Sequence, residues 1–591
     1  MNFATLRRHS WISLIIAIAA SVGFTQPLLA QVEAPEQAAP AAPEGSAPDG
    51  QLHTLAVIAG AKYEKLLADI TFLGPYLGQP AAGQMADAIV AQYTMGKSAT
   101  ALDKTKPWGV IVQTDGMQFP AVVVLPISNL DEAIEVAKGY GAEVKDADNN
   151  TKELSLANKP PVYLKADNGV VFVSNSQSSL LHLPPNPLEI LGEMLGEYDL
   201  SVSLAVKNIP PMYRQFAIGA MQAGMQQNMT QQPGESEDDF ADRQKLAEGQ
   251  VQQITQLINE VDTVKVGLAI DSAEKRTFFD FTYQFVGGSK LAKQMAAYAQ
   301  PNSDFAGFFQ PDAAATAIVS TKADPELMAD DLAQLESMMR GVRQKIAREI
   351  DKKHADADPA DRDALKAAVN DIFDAVEATV KQGQIGGGAS LHASPETMTF
   401  VAGAHVKEPA KIEEALKKLE AVGKKRPDFP GIKWNAAEHS GVKFHTLTVP
   451  VPEDKKEARR MFGDNLDVAV GLGPESVYVA VGKDNIAAVS KAIDASAADR
   501  SKTVPPFAGS VSLGQIITVA ADAKEEGHEK ATLQAIAEEL NGSAKGQDHV
   551  SITGSVIPNG LRYRLEAQEG VLKAVGVAAK MKAQARRAAA N

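Results

Sequence analysis

The sequence predicts an α+β fold in which mainly antiparallel sheets are covered by helices, and a tandem duplication of that fold. Two observations lead to this prediction. Apolar, strand-like runs occur in pairs joined by tight turns, which is typical of antiparallel hairpins. Helical stretches flank these pairs, and the order of the patterns recurs in two parts of the chain. We therefore expect modules of the form β-α-β-β-α.

The turns between paired runs carry residues that tolerate a positive φ. Asp115-Gly116, Asn168-Gly169 and Asn559-Gly560 each lie between runs of β-branched and aromatic residues. Asp-Gly and Asn-Gly are favoured in tight hairpins because both residues accept left-handed backbone at low cost. We expect a hairpin at each of these positions.

The duplication rests on the order of apolar patterns, since the two parts share little identity. In both parts an apolar run leads into a helical stretch, at 119–127 with 130–139 and at 398–406 with 410–422. A short strand also recurs, as Leu200-Ser-Val-Ser-Leu204 and as Gly509-Ser-Val-Ser-Leu513. The chain of 591 residues, with 45% hydrophobic content, is long enough for two to four domains.

The predicted boundaries follow from these patterns. A signal peptide occupies 1–30, a Pro/Ala-rich linker 31–51 and a basic tail 585–591. The first α+β half spans 52–301, with modules at about 52–190 and 197–301. The second half spans 304–584, with modules at about 304–500 and 507–584.

The amino terminus indicates export. Arg7 and Arg8 precede the apolar run 11–24, and the small residue Ala30 lies at the expected cleavage point. An uncleaved membrane anchor is the alternative interpretation. The chain contains no cysteine, so neither disulfides nor an amino-terminal lipid on cysteine can form. We expect a periplasmic or extracellular protein with no transmembrane segment after signal cleavage.

The charge of the chain disfavours nucleic-acid binding. The formal net charge is −15, whereas binding to phosphates requires clustered cations. One basic run occurs at the carboxyl end, and it contains Lys573, Lys580, Lys582, Arg586 and Arg587. It suits either an acidic lipid or glycan surface, or the closing helix of a domain.

The first residues to test for catalysis are Glu438, His439 and His445. Six positions separate the two histidines, so on one strand their side chains would lie about 20 Å apart at ~3.3 Å per residue. They could meet only if Ser440-Gly441 turned the chain. The sequence contains no recognisable nucleophile motif, so we predict no cofactor, no metal site and no enzymatic activity.

A methionine stripe is the candidate binding surface. Met221, Met225 and Met229 recur every four residues, which places them on one face of a helix. Thioethers make adaptable apolar surfaces and can bind soft copper ions. Ordinary helix packing is the main alternative interpretation.

The export signal, the Pro/Ala tether, the paired helix-covered sheets and the hairpin 167–174 together resemble uncharacterised exported bacterial proteins of planctomycete type. That resemblance implies an envelope location and brings no known activity. We predict a secreted or periplasmic, non-enzymatic binding or structural protein of the cell envelope, with an envelope protein, glycan or lipid as partner. The alternatives are an envelope-polymer hydrolase and a carrier of lipid or another apolar ligand, which predicts an enclosed apolar cavity.

Overall fold

The computed structural model describes residues 52–590, except 98–100, 156–159, 184–185, 234, 299–301, 323–328, 428, 501, 525 and 543. The predicted signal peptide (1–30) and the predicted linker (31–51) lie outside the described residues. Within the described part of the chain, no helix is long and apolar enough to cross a membrane.

The described part of the chain forms twenty strands and fifteen α-helices. The strands are β1 (His53–Gly60), β2 (Trp108–Thr114), β3 (Ala121–Leu125), β4 (Glu143–Ala147), β5 (Thr151–Ser155), β6 (Val162–Asp167), β7 (Val170–Ser174), β8 (Leu200–Ala205), β9 (Val261–Asp271), β10 (Arg276–Phe285), β11 (Ala315–Lys322), β12 (Gln384–Ala393), β13 (Met398–His405), β14 (Lys433–His439), β15 (Val442–Pro450), β16 (Asn465–Leu472), β17 (Ser476–Gly482), β18 (Phe507–Ser512), β19 (His549–Ile557) and β20 (Gly560–Gln568).

The helices are α1 (Tyr63–Leu73), α2 (Ala82–Tyr93), α3 (Leu130–Gly139), α4 (Pro187–Met194), α5 (Pro211–Asn228), α6 (Glu237–Glu260), α7 (Lys290–Ala297), α8 (Ala329–Lys353), α9 (Pro359–Lys381), α10 (Pro409–Gly423), α11 (Lys456–Phe462), α12 (Asn485–Ala498), α13 (Leu513–Ala523), α14 (His528–Asn541) and α15 (Glu569–Ala590). Several begin at the expected capping residues: Asn129 and Ser289 accept hydrogen bonds from backbone N–H groups in the first turns of α3 and α7.

All strands join one antiparallel sheet, which confirms the predicted α+β class. Its spatial order is β4-β5-β6-β7-β3-β2-β1-β8-β9-β10-β20-β19-β18-β11-β12-β13-β17-β16-β15-β14. The first ten strands pair with one another in the same order as the last ten. The two sets meet where β10 pairs with β20, and we call this junction the seam.

The seam has a symmetric register. Arg276 to Gln284 of β10 lie opposite Gln568 to Gly560 of β20, so the middle pair of the nine is Asp280 and Arg564. These two residues are 284 positions apart in the chain. The seam therefore depends on contacts between distant parts of the sequence.

Two of the three predicted hairpin turns have the expected residues at their tips. Asn168 and Gly169, between β6 and β7, both have positive φ, and Gly116 has positive φ in the longer loop between β2 and β3. The third turn differs, because Gly560 is already the first residue of β20. Pro558 and Asn559 form that tip, and Asn559 alone supplies the positive φ.

Each half of the sheet has one large hydrophobic core. In the first half α4 packs against β1, β2 and β8, over buried Val57, Ala59 and Ile111. In the second half α12 and the short 3-10 helix 306–308 pack against β13 and β17. Both cores lie on the same face of the sheet, which we call the covered face.

Candidate functional site: an apolar sheet face

The opposite face of the sheet is apolar and open to solvent in its central strands. Residues directly opposite one another in an antiparallel sheet project to the same face, so the register identifies its members. Eight large apolar residues on this face are exposed, and we call them the apolar floor: Ile58, Leu200, Val202, Leu204, Leu268, Phe279, Val511 and Leu565.

The floor is continuous across the seam. Leu268 lies opposite Leu200 and Phe279, Phe279 lies opposite Leu565, and Leu565 lies opposite half-buried Ile552. It spans seven adjacent strands, from β1 to β18, and six of them carry its exposed residues, while β19 contributes the half-buried Ile552. At ~4.8 Å between neighbouring strands, the floor extends for about 29 Å.

The two faces of these central strands are the reverse of the usual arrangement. Exposed sheet faces are ordinarily polar, with the apolar residues turned towards the core. Here Ser201, Asp280 and Thr282 on the covered face are buried, while Phe279 is 42% exposed and Leu565 is 49% exposed. No Asp, Glu, Lys, Arg or His belongs to the apolar floor.

Several helices that adjoin the sheet also expose large apolar residues. They include Ile70 in α1, Met85 and Ile89 in α2, Phe216 in α5 and Val575 in α15. At one end of the open face α7 packs on the sheet, where Leu291 and Met295 belong to the same apolar cluster as Val264 and Tyr283. Soluble proteins rarely expose contiguous apolar patches of more than a few hundred Å², so this surface indicates a binding site.

The carrier interpretation predicts an enclosed apolar cavity, whereas the apolar floor lies on an open face of the sheet. Two pockets elsewhere in the described residues have volumes of about 190 and 290 Å³ and polar linings, which include Asn302 and Asp304 in the first and Asp131 and Lys152 in the second. Both are too small and too polar for an apolar ligand of lipid size.

On the covered face, the seam contains a buried ionic cluster around Asp280, which is 1% exposed. The Arg564 guanidinium donates two hydrogen bonds to the Asp280 carboxylate, from Nε at 2.8 Å and from Nη2 at 2.7 Å. The Tyr198 hydroxyl donates a third at 2.8 Å. Arg564 also contacts Glu197 at 2.9 Å and lies 3.8 Å from the centre of the Phe278 ring.

The charges of this cluster stabilise one another. Burial, together with the bond to Asp280, raises the pKa of Tyr198 to about 12. The hydrogen bonds that the Arg564 guanidinium donates to Asp280 raise the pKa of that guanidinium. The bidentate geometry gives the β10–β20 pairing a specific register, because a shift by one residue would turn Asp280 and Arg564 to opposite faces.

The predicted catalytic residues do not come together. Ser440 and Gly441 do turn the chain, with φ values of 49° and 79°, and they join β14 to β15. His439 lies opposite Val442, whereas His445 lies on β15 at an odd spacing from Val442 and therefore on the other face. The two histidines thus lie on opposite faces of the sheet.

Each of the three residues has a local role. His439 Nε2 contacts Asp494 Oδ1 of α12 at 2.7 Å. His445 is buried beside Trp434, its Nδ1 accepts a hydrogen bond from the Asn435 N–H, and burial lowers its pKa. Glu438 is exposed opposite Lys443. The described residues contain no group of three or more His, Cys, Asp or Glu side chains that could hold a metal ion.

The methionine stripe lies where α5 meets α6. Met221 and Met225 are half-buried on α5, and Met229 follows the last residue of that helix. The Met229 sulfur accepts a hydrogen bond from Arg243 Nη1 of α6 at 3.1 Å. Arg243 is also paired with Glu235 at 2.8 Å, so this end of the stripe belongs to the helical hairpin.

A second buried ionic group joins α1 to the sheet. Asp69 is 2% exposed, and its Oδ1 contacts Lys65 Nζ at 2.5 Å while its Oδ2 has no hydrogen-bond partner. Lys65 also contacts Asp199 at 2.8 Å and the Ile270 carbonyl at 3.0 Å. Burial raises the pKa of Asp69 from 3.8 to about 6, and the Asp199 charge adds to this against the opposing effect of Lys65.

Asp69→Asn is expected to stabilise the protein above pH 6. The folded protein holds the Asp69 proton up to a pH near 6, whereas the unfolded chain releases it near pH 4, so the cost of the buried charge grows between these values. Urea unfolding should give a higher midpoint for the variant at pH 8, and the difference should disappear towards pH 4. Asp199→Ala is the control: Asp199 accepts a bond from the Ile270 N–H at 2.6 Å, so loss of that acceptor should destabilise the protein at both pH values.

Comparison with known proteins gave no relatives. No protein-family model matches the sequence. Neither a curated protein nor a solved structure gave a significant match. The function must therefore be argued from the geometry described above.

Proposed function

We propose that this chain is a secreted or periplasmic, non-enzymatic binding protein of the bacterial cell envelope, and that the apolar floor binds the acyl chains of a lipid. One observation carries the proposal: the eight exposed large apolar residues of the central strands all lie on one face. Among the partners expected from the sequence, an apolar ligand fits this surface better than a glycan, which needs hydrogen-bonding groups.

The dimensions and chemistry of the floor suit an acyl chain. The hydrocarbon core of a bilayer is ~30 Å thick and contains two leaflets, so one chain spans about 15 Å. Half-burial of about fifteen methylenes, at half of ~0.8 kcal/mol each, would contribute roughly 6 kcal/mol to the free energy of binding. This corresponds to a dissociation constant in the range of tens of micromolar.

The hydrolase alternative receives less support. Its candidates His439 and His445 lie on opposite faces of the sheet, and Glu438 is exposed beside Lys443. A general acid and a general base must both lie within hydrogen-bond reach of one substrate. This arrangement does not provide that reach.

The experiment that tests the proposal is lipid analysis of the protein purified from its native host. We expect a co-purifying lipid in mass spectra, and saturable uptake of a fluorescent C16 fatty acid by the delipidated protein. The proposal fails if no lipid co-purifies and the fatty acid does not bind at ten times the expected dissociation constant.

We also propose that the two halves arose by duplication of one ancestral unit. The matching order of strand pairing in β1–β10 and β11–β20 supports this proposal, and so does the central position of the Asp280–Arg564 pair. Superposition of residues 52–301 on 304–584 in an experimental structure tests it. Unrelated chain paths in the two halves would overturn it.

A further inference from the structure

The carboxyl-terminal helix α15 extends beyond the body that it packs against. Its buried contacts with α14 and α13 involve Ala574, Val577 and Ala578. After Ala578 the described side chains are exposed or half-buried, and Lys580, Lys582 and Arg587 are all exposed. We call residues 579–587 the basic stub.

The stub has an unusual charge for this protein. Between Gly570 and Asn591 the sequence has five basic residues and no acidic residue, in a chain of net charge −15. Lys573 pairs with Glu569, but within the described residues Lys580, Lys582 and Arg587 form no ion pair.

The cations lie outside the apolar stripe of the helix. At 100° per residue, Ala574, Val577, Ala578 and Met581 fall within one arc of about 100°, which forms this stripe. On the same projection Lys580, Lys582 and Arg587 fall outside that arc. All three are exposed, although Gly576, on the other side of the helix and at least one turn earlier, is buried against the Tyr76 carbonyl. Their charges are therefore open to solvent.

We propose that the basic stub docks on the surface of an anionic phospholipid bilayer. Each Lys or Arg near such a surface contributes attraction to the anionic headgroups, and the small Ala side chains between them allow the helix to lie close to the surface. This contact is separate from the apolar floor and does not depend on it. It would bring a lipid-binding protein next to a source of lipid.

Co-sedimentation with vesicles of defined composition tests the proposal. We expect the full chain to bind vesicles of equal parts phosphatidylglycerol and phosphatidylcholine, and to bind pure phosphatidylcholine vesicles much more weakly. Lys580→Glu combined with Lys582→Glu should weaken binding to the anionic vesicles by at least roughly 30-fold, which is the loss expected from removing the two positive charges alone. Raising the salt concentration to ~0.5 M should have a similar effect, because the charges are screened.

A matched control changes the same charge elsewhere. Lys345→Glu combined with Lys352→Glu alters two exposed lysines of α8 and gives the same net charge as the stub variant. This control should bind like the wild type. Equal binding to both kinds of vesicle, or equal loss in both double variants, would overturn the proposal.

Uptake of the fluorescent fatty acid, measured on the same samples, separates this proposal from the previous one. The stub variant should keep wild-type uptake while it loses binding to anionic vesicles. If the wild type binds anionic vesicles but takes up no fatty acid, the floor is not a lipid site and the docking surface stands. If uptake occurs without a preference for anionic vesicles, the docking proposal alone is wrong.

Discussion

Phe279→Asp is expected to weaken fatty-acid binding at least tenfold while the protein stays folded. Phe279 lies at the centre of the apolar floor, between Leu268 and Leu565. A carboxylate there would have to lose its hydration beneath the ligand, and the contacts of the ring would also be lost. Fluorescence titration with a C16 fatty acid measures the change in the dissociation constant.

The fold should tolerate this substitution because the ring is already 42% exposed. Circular dichroism and the unfolding midpoint should remain close to those of the wild type, apart from a strand-propensity cost of up to about 1 kcal/mol. Met117→Asp is the matched control, since Met117 is 56% exposed in the loop between β2 and β3. Unchanged fatty-acid affinity in Phe279→Asp would refute a binding role for the floor.

The second large effect is expected at the seam. Asp280→Ala should lower the free energy of unfolding by about 3 kcal/mol, because it leaves the Arg564 guanidinium largely buried without its main partner. The Tyr198 hydroxyl would lose its acceptor as well. Urea unfolding followed by circular dichroism measures the loss.

Two further variants show whether loss of the ion pair itself causes the expected loss of stability. Asp280→Ala combined with Arg564→Met should recover most of the stability, because removing both charges leaves no buried ion without a partner. Arg562→Ala should cost less than about 1 kcal/mol, since Arg562 is partly exposed, contacts Glu197 at 3.5 Å and lies 3.9 Å from Asp280, beyond hydrogen-bond distance. A loss for Arg562→Ala as large as for Asp280→Ala would contradict this explanation.

Local patterns were sufficient to predict much of the fold. The helix predicted at 130–139 matches α3, and the one predicted at 410–422 matches α10 within one residue at each end. Asn168 and Gly169 form the predicted turn. These features depend on capping residues, apolar periodicity and backbone conformations that a few neighbouring residues determine.

The joining of all strands into one sheet could not be predicted in this way. Asp280 and Arg564 lie on ordinary alternating strands, and nothing near either residue in the sequence identifies its partner. A pairing between positions this far apart depends on the three-dimensional path of the whole chain. Local patterns identify strands but not their neighbours across the seam.

The candidate site was missed for a related reason. Alternation in Leu200-Ser-Val-Ser-Leu204 predicts one apolar face, but it does not tell whether another element covers that face. By contrast, His439, His445 and the methionine stripe are conspicuous in the sequence because their residue types are uncommon. The floor consists of common residues, and only their shared exposure distinguishes it.

The seam also affects how the chain folds during its synthesis on the ribosome. In the β10–β20 register Arg276 lies opposite Gln568, so 292 residues must follow Arg276 before its neighbour exists. At ribosomal rates of about 5–20 residues per second, this takes roughly 15–60 s. Throughout that interval β10 has an unsatisfied hydrogen-bonding edge that includes Phe279, so nascent chains that terminate before β20 should aggregate or require a chaperone.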